Sequence, residues 1–245
     1  MRKKLKTIGL VTAALCSAGT LGAASGPAPK PAPRLASTPA KANWNAVVSR
    51  TPLDSHLLGN PNAPIKLIAY ISYTCSHCAH FEAESDAQLR IGLIGPGKGS
   101  IEVRNFVRDP VDLTVALLTH CGPVSKFFAN HSTFLRHQPT WLGTVERLSD
   151  GQRKRWSSPD FATRTQAIAS DLGLYTLMEA RGYDRPALDR CLADRALADR
   201  LAVHTKEAGE KDFVTGTPTF VLDGIPLSGT HNWAALKPQI EARLP

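Results

Sequence analysis

Ile65-Lys66-Leu67-Ile68-Ala69-Tyr70-Ile71 runs through Ser72-Tyr73-Thr74 into Cys75-Ser76-His77-Cys78, and Ala79 to Leu89 follows without Gly or Pro. The first seven residues are mostly apolar, β-branched or aromatic, and their length predicts a buried strand rather than a helix. The Ala-, Glu- and Gln-rich stretch behind the cysteines predicts a helix, with Cys78, Phe81, Ser85 and Leu89 along one side. Cys75 therefore falls at a strand-to-helix junction, where the unpaired N–H groups of a helix's first turn point outward.

The pattern continues on both sides of this junction. Gly95-Pro96-Gly97-Lys98-Gly99 is a loop and Ile101 to Val107 a second strand. From Val111 to about Glu210 the pattern is helical, broken at Gly122-Pro123, Gln138-Pro139, Ser158-Pro159, Gly173 and Gly182. Strand character returns at Thr219 to Leu222, a turn at Asp223-Gly224 leads into a short strand near Ile225 to Leu227, and Trp233 to Leu244 closes as a helix. A parallel crossover, a hairpin and a helix make a mixed four-stranded sheet covered by helices. A hundred helical residues are too many for a loop and form an inserted all-helical subdomain. The expected organisation is 43–110 and 211–245 as the two parts of the α/β domain, with 111–210 between them.

Upstream, residues 1–6 are basic, Thr7 to Leu21 apolar and small, and Gly22-Ala23-Ala24 offers a cleavage site. This is the layout of a secretory signal peptide over 1–24, too short and too polar in its core for a bilayer span. Cys16 is discarded with it. The Pro/Ala-rich stretch within 25–42 is an extended linker. Arg2, Lys3, Lys4 and Lys6 carry four of the formal +8 charges; their removal leaves +4, which excludes a strong argument for nucleic acid. At 245 residues with 42% hydrophobic residues the chain is long enough to bury a core, and wholesale disorder, collagen repeats and coiled coil are excluded.

Four cysteines remain after export: Cys75, Cys78, Cys121 and Cys191. An even number in an oxidising compartment makes disulfides the default, with three possible pairings. A thiolate is the reactive form of cysteine, and a helix N-terminus lowers its pKa. Cys75 is accordingly the expected nucleophile, with Ser76 and His77 tuning it and the His77 imidazole able to donate toward its sulfur. Cys78, one turn further in, is the expected resolving thiol. An inert Cys75–Cys78 staple is disfavoured, because a bridge over two residues removes little loop entropy. Haem attachment would need His after Cys78, where Ala79 stands. Zinc or copper held by Cys75, Cys78, His77 and His80 lacks a second ligand pair at matching spacing, so no metal and no cofactor are expected. His80, His120, His131, His137 and His204 read as surface or capping residues.

These pieces resemble the thioredoxin fold, and within it the DsbA-like thiol–disulfide oxidoreductases. The residues that carry the resemblance are Ser72 to Cys78, Gly216-Thr217-Pro218-Thr219-Phe220 about 140 residues later, and the helical insertion between them. It covers roughly Leu58 to Leu244. The resemblance implies a cis-proline at Pro218 lying against the cysteine pair, leaving the backbone of Thr217 to bind an extended substrate segment. Three positions depart from the best-known pattern: Ser76 in place of proline, Ala69 in place of a buried acid, and Thr217 in place of valine. Cys121 and Cys191 bracket much of the insertion and are read as a structural disulfide. The expectation is a periplasmic dithiol oxidase that introduces disulfides into unfolded exported proteins and is re-oxidised by a DsbB-like membrane partner. Trp44 to Leu58 is too short for an isomerase's dimerisation domain, so a monomer is expected. A reductase or isomerase of the same fold is the alternative, and a non-catalytic metal-binding module a more distant one.

Overall fold

The computed structural model describes residues 42–244. The expected signal peptide over 1–24, with Cys16, lies outside the described residues, as does all but the last residue of the linker. Among the described residues no helix is long and apolar enough to cross a membrane.

The Ile65 run forms the strand that organises the sheet. Six strands, β1 (Val48–Arg50), β2 (His56–Gly59), β3 (Ile65–Ile71), β4 (Gly99–Asn105), β5 (Thr219–Leu222) and β6 (Ile225–Pro226), pair in the order β1-β2-β4-β3-β5-β6. β3 and β4 are parallel, with Ala69 opposite Val103, and β5 lies antiparallel on the other side of β3, with Phe220 opposite Ala69. These strands and β6 are the mixed four-stranded sheet read from the sequence. The β1–β2 hairpin, within a stretch too short to show clear alternation, enlarges that sheet to six strands by pairing antiparallel with β4. Leu67, Ala69 and Ile71 on β3 are buried, as a strand with neighbours on both edges requires.

α1 (Ser76–Leu89) begins directly after the loop that leaves β3, and it buries Cys78, Phe81, Ser85 and Leu89 together with Glu82. The insertion comprises α2 (Pro110–Thr119), α3 (Phe127–Arg136), α4 (Gln138–Leu142), α5 (Asp150–Trp156), α6 (Phe161–Asp171), α7 (Leu174–Glu179), α8 (Arg185–Leu192) and α9 (Arg195–Lys211). Its boundaries are marked by local chemistry. Asp109 caps α2 by accepting from the Asp112 N–H, with Pro110 in the first turn where a missing N–H costs nothing. Asp160, Asp184 and Asp194 cap α6, α8 and α9 in the same way. α10 (Trp233–Glu241), capped by Asn232, returns to pack Trp233 against Phe81. Sheet, α1, α10 and insertion share one apolar core, so the insertion is packed against the sheet domain rather than tethered to it. This packing brings α2 and α4 onto the Ser72–Cys75 loop.

Candidate active site

Cys75 is the N-cap of α1. Its backbone is extended, and its carbonyl accepts from the N–H groups of Cys78 and Ala79 at 3.1 and 3.3 Å. The Cys75 side chain sits at the start of the helix, 3.1 Å from the carbonyl oxygen of Thr217. As a thiolate it receives the Cys78 thiol proton, the Thr217 hydroxyl and the N–H groups of Cys78 and His77. The hydrogen bond from Cys78 is the largest of these effects, and together they outweigh burial and lower the Cys75 pKa to about 4. The Thr217 hydroxyl is buried, makes no hydrogen bond to oxygen or nitrogen, and lies near both active-site sulfurs, whose anions it favours. The carbonyl therefore serves the thiol, and the hydroxyl is free to serve the anion. Cys78 has the opposite character. It is completely buried, and burial first, then the neighbouring Cys75 sulfur, push its pKa well above the ordinary thiol range. The two cysteines are unbridged and both buried, Cys75 with its pKa lowered and Cys78 with its pKa raised.

Of the two expected tuning residues, Ser76 and His77, both are exposed in the first turn of α1. The contribution of His77 to the Cys75 sulfur is its backbone N–H. This corrects the expectation that the imidazole would donate, because the helix turns that side chain outward to solvent. The Thr217 carbonyl stands against Cys75, and the peptide bond from Thr217 to Pro218 is cis. The Pro218 carbonyl lies 3.0 Å from Nδ1 of His231, which precedes α10. Cys121 and Cys191 are joined by a disulfide that links the end of α2 to α8.

The loop between β3 and Cys75 is held by side chains of the insertion that the sequence reading did not single out. Gln138, the first residue of α4, donates from Nε2 to the carbonyls of Tyr73 at 2.7 Å and Cys75 at 2.9 Å. Asp112 of α2 accepts from the Ser72 hydroxyl at 2.6 Å and from the Tyr73 N–H at 2.7 Å. Burial pushes the Asp112 carboxyl up to about 7 against these hydrogen bonds. Beneath the loop the buried Tyr73 hydroxyl meets His131 Nδ1 at 2.9 Å. The Glu82 carboxylate lies 3.6 Å from His131 Nε2, and despite burial its contacts with His131 and Ser132 hold it below the usual carboxylate range. His131 is thus an interior residue, not the surface or capping residue its sequence context suggested, because α3 turns it toward Tyr73 and α1. His120 is likewise drawn inward, onto Asn105 and His56. Asp109-Pro110 is a helix-start signal that could have put Asp112 in a first helical turn, but nothing local links Asp112 or Gln138 to the cysteines.

Among the described residues no group of three His, Cys, Asp or Glu side chains could hold a metal ion. The arrangement can accept and release disulfides. A low-pKa sulfur at a helix start is both a nucleophile and a good leaving group, a second sulfur stands one turn behind it, and an edge of backbone at Thr217 lies beside them.

A family model described as Thioredoxin matches residues 51–242, and the chain belongs to that family. A crystal structure of a protein-disulfide isomerase from Novosphingobium aromaticivorans is similar with a TM-score of 0.74 and 57% identity, over 77% of this chain and 96% of that one. The alpha-DsbA1 structure from Wolbachia pipientis matches with a TM-score of 0.57 at 24% identity, over 76% of this chain and 88% of that one, which shows the same fold. A Rickettsia prowazekii protein whose curated name assigns it provisionally to the protein-disulfide oxidoreductases is 22% identical over 170 residues, 69% of this chain and 54% of its own length. The chain spans about half the length of the curated relatives it matches.

Proposed function

We propose that this thioredoxin-family chain is a protein thiol–disulfide oxidoreductase working outside the cytoplasm as a dithiol oxidase, with Cys75 and Cys78 as its redox pair. In the oxidised enzyme a client thiolate attacks Cys75 Sγ, forming a client–Cys75 disulfide and expelling Cys78 as a thiolate that takes a proton from solvent. A second client thiolate then attacks the client sulfur of that mixed disulfide and releases the Cys75 thiolate. The client dithiol loses two electrons, which the enzyme's dithiol keeps. In the reverse direction Cys78 attacks the mixed disulfide at Cys75, frees the client and closes the Cys75–Cys78 bond. The Thr217 backbone beside Cys75 holds the extended client segment while this happens.

What supports the oxidase direction is the placement of Cys75 at the start of α1 and against Thr217, with donors around its sulfur that lower its pKa to about 4. A stabilised thiolate favours the reduced enzyme, so the oxidised pair gives its disulfide away. Equilibration with glutathione tests it. The expected reduction potential is far above that of thioredoxin, about −270 mV, and a value at or below that level reverses the direction. Isomerase activity is the second reading, favoured by the name of the 57%-identical Novosphingobium neighbour. Reactivation of scrambled ribonuclease in glutathione buffer, without net oxidation, would favour it. Residues 1–24 direct export to the periplasm on this proposal, the clients are unfolded exported proteins, and a DsbB-like membrane oxidase removes the electrons. Metal and nucleic acid have no part in it, and the chain works as a monomer.

A further inference from the structure

Ser72 is the residue on which both cysteines converge. Its carbonyl accepts the Cys75 N–H at 3.3 Å, and its own N–H is directed at the Cys78 sulfur and favours that sulfur's anion. Its hydroxyl accepts from Arg108 Nε at 2.9 Å and from the Thr74 N–H at 3.3 Å. With both N–H donors pointing at that oxygen, the hydroxyl's own hydrogen goes to Asp112 Oδ2, 2.6 Å away. We infer that Asp112 is a positioning residue for thiol–disulfide exchange: from the helical insertion it fixes Ser72, whose backbone touches both reacting cysteines. The inference rests on the proposed function and adds a residue to it.

The fit is specific to the carboxylate. Oδ2 takes the Ser72 hydroxyl and the Arg108 N–H at 3.0 Å, and Oδ1 takes the Tyr73 N–H at 2.7 Å. Three donors converge on a side chain that is only 1% exposed, so no water can replace a lost partner. Oδ2 already takes two donors, so a proton on that oxygen would break one of those bonds. The charged groups around the carboxyl are known. Arg108 reaches it through the Ser72 hydroxyl, with its other end on Thr74 Oγ1. Asp109, on the Thr74 hydroxyl and the Asp112 N–H, raises its pKa. Across Ser72 stand the two thiols. Burial puts the Asp112 carboxyl at about 7, so the bond to Ser72 tightens as pH rises through neutrality.

The consequence is read in the step that Cys78 performs. In protein whose reduced Cys75 has been converted by glutathione disulfide to the Cys75–glutathione mixed disulfide, with release of one glutathione thiolate, Cys78 then gives up its proton to buffer, attacks Cys75 Sγ and releases the second glutathione thiolate. Because the Cys78 thiol titrates well above neutrality, its ionisation gives the logarithm of the release rate a slope of one against pH. With Asp112 acting through Ser72 and worth roughly tenfold in rate, the wild-type slope rises to about 1.5 near pH ~6.5 and returns to about one at lower and higher pH. Asp112→Asn keeps the volume but removes the ionisation, and Ser72→Ala keeps the fold but cuts the link. Each should show a slope of one throughout and roughly tenfold slower release at pH ~8. The double variant should be no slower than the slower single one, because both changes break the same connection. A wild-type steepening that survives in Ser72→Ala, or losses that add in the double variant, would overturn the inference. A wild-type protein that releases no glutathione at any pH would instead sink the proposed function itself.

Discussion

The Sγ of Cys75 and the carbonyl oxygen of Thr217, 142 positions apart in the chain, lie 3.1 Å from each other. The contact makes one site of the backbone proposed to hold a client and the sulfur proposed to react. It also places the Thr217 hydroxyl where it can hold the sulfur's negative charge.

Thr217→Val keeps the shape of that side chain and removes its hydroxyl, so it should raise the Cys75 pKa by on the order of one unit. Iodoacetamide alkylation against pH measures both proteins, and an unmoved midpoint would deny the hydroxyl its role. In the wild type the midpoint should fall near the Cys75 value of about 4. The linkage sign follows from the depressed pKa. The reduced protein gains stability as pH rises from about 4 towards the unfolded thiol value of about 8.5, and loses it as pH falls through about 4. The gap in Tm between reduced and oxidised protein should widen over that range.

Gln138→Ala leaves the carbonyls of Tyr73 and Cys75 without the donor that now serves both. In a buried site this should cost about 1–3 kcal/mol of stability. Exchange should slow as well, because the loop carrying Cys75 loses one of its supports from the insertion. Urea unfolding and the rate of insulin reduction read the two effects. Unchanged exchange with lowered stability would leave Gln138 a purely structural residue.

His56 stacks on Phe127 with ring centres 3.7 Å apart, and burial lowers its pKa to about 4. His120, edge-on to His56, is also lowered by burial. Both are neutral in the fold and take protons more readily when unfolded. The stability His56 contributes is complete above about pH 6.5 and drains away as pH falls to about 4, and that of His120 is lost in the same direction. Thermal melts of the oxidised protein, in which neither active-site thiol titrates, should show Tm falling across that window. His56→Phe should flatten the fall, and an equally steep decline in that variant would place the acid lability elsewhere.

The Cys121–Cys191 bridge closes a separation of 70 residues. Replacing both cysteines by alanine should cost about 2–4 kcal/mol, measured as a lower denaturant midpoint. The alkylation rate of Cys75 should stay as it is, since neither partner of this disulfide contacts Cys75, Cys78 or Thr217. A changed rate would show that the insertion transmits the state of this disulfide to the site.

The histidines show where sequence reading stopped. His77 lies between the cysteines and suggested a donor to Cys75, yet the helix turns its imidazole out and leaves only the N–H inward. His131 read as a surface or capping residue and proved to be buried against Tyr73. Both errors concern which way a side chain faces, which follows from how helices pack and not from the residue's neighbours in the chain. The β1–β2 hairpin escaped for a related reason. Strands of three and four residues show too little alternation to be recognised, and they are made regular by pairing with β4.

By itself the sequence determined the strand from Ile65, the helix that follows, the paired thiols at their junction and the order of elements around them. Each depends on interactions within a few residues: β-branched side chains, capping groups, and the free N–H groups of a first helical turn. Only the tertiary structure decided what closes over that junction. Thr217 meets Cys75 from 142 residues away, Gln138 from 63 and Asp112 meets Ser72 from 40. Contacts at such separations are set by burying the apolar faces of sheet and insertion against each other, and polar partners go where that packing leaves them.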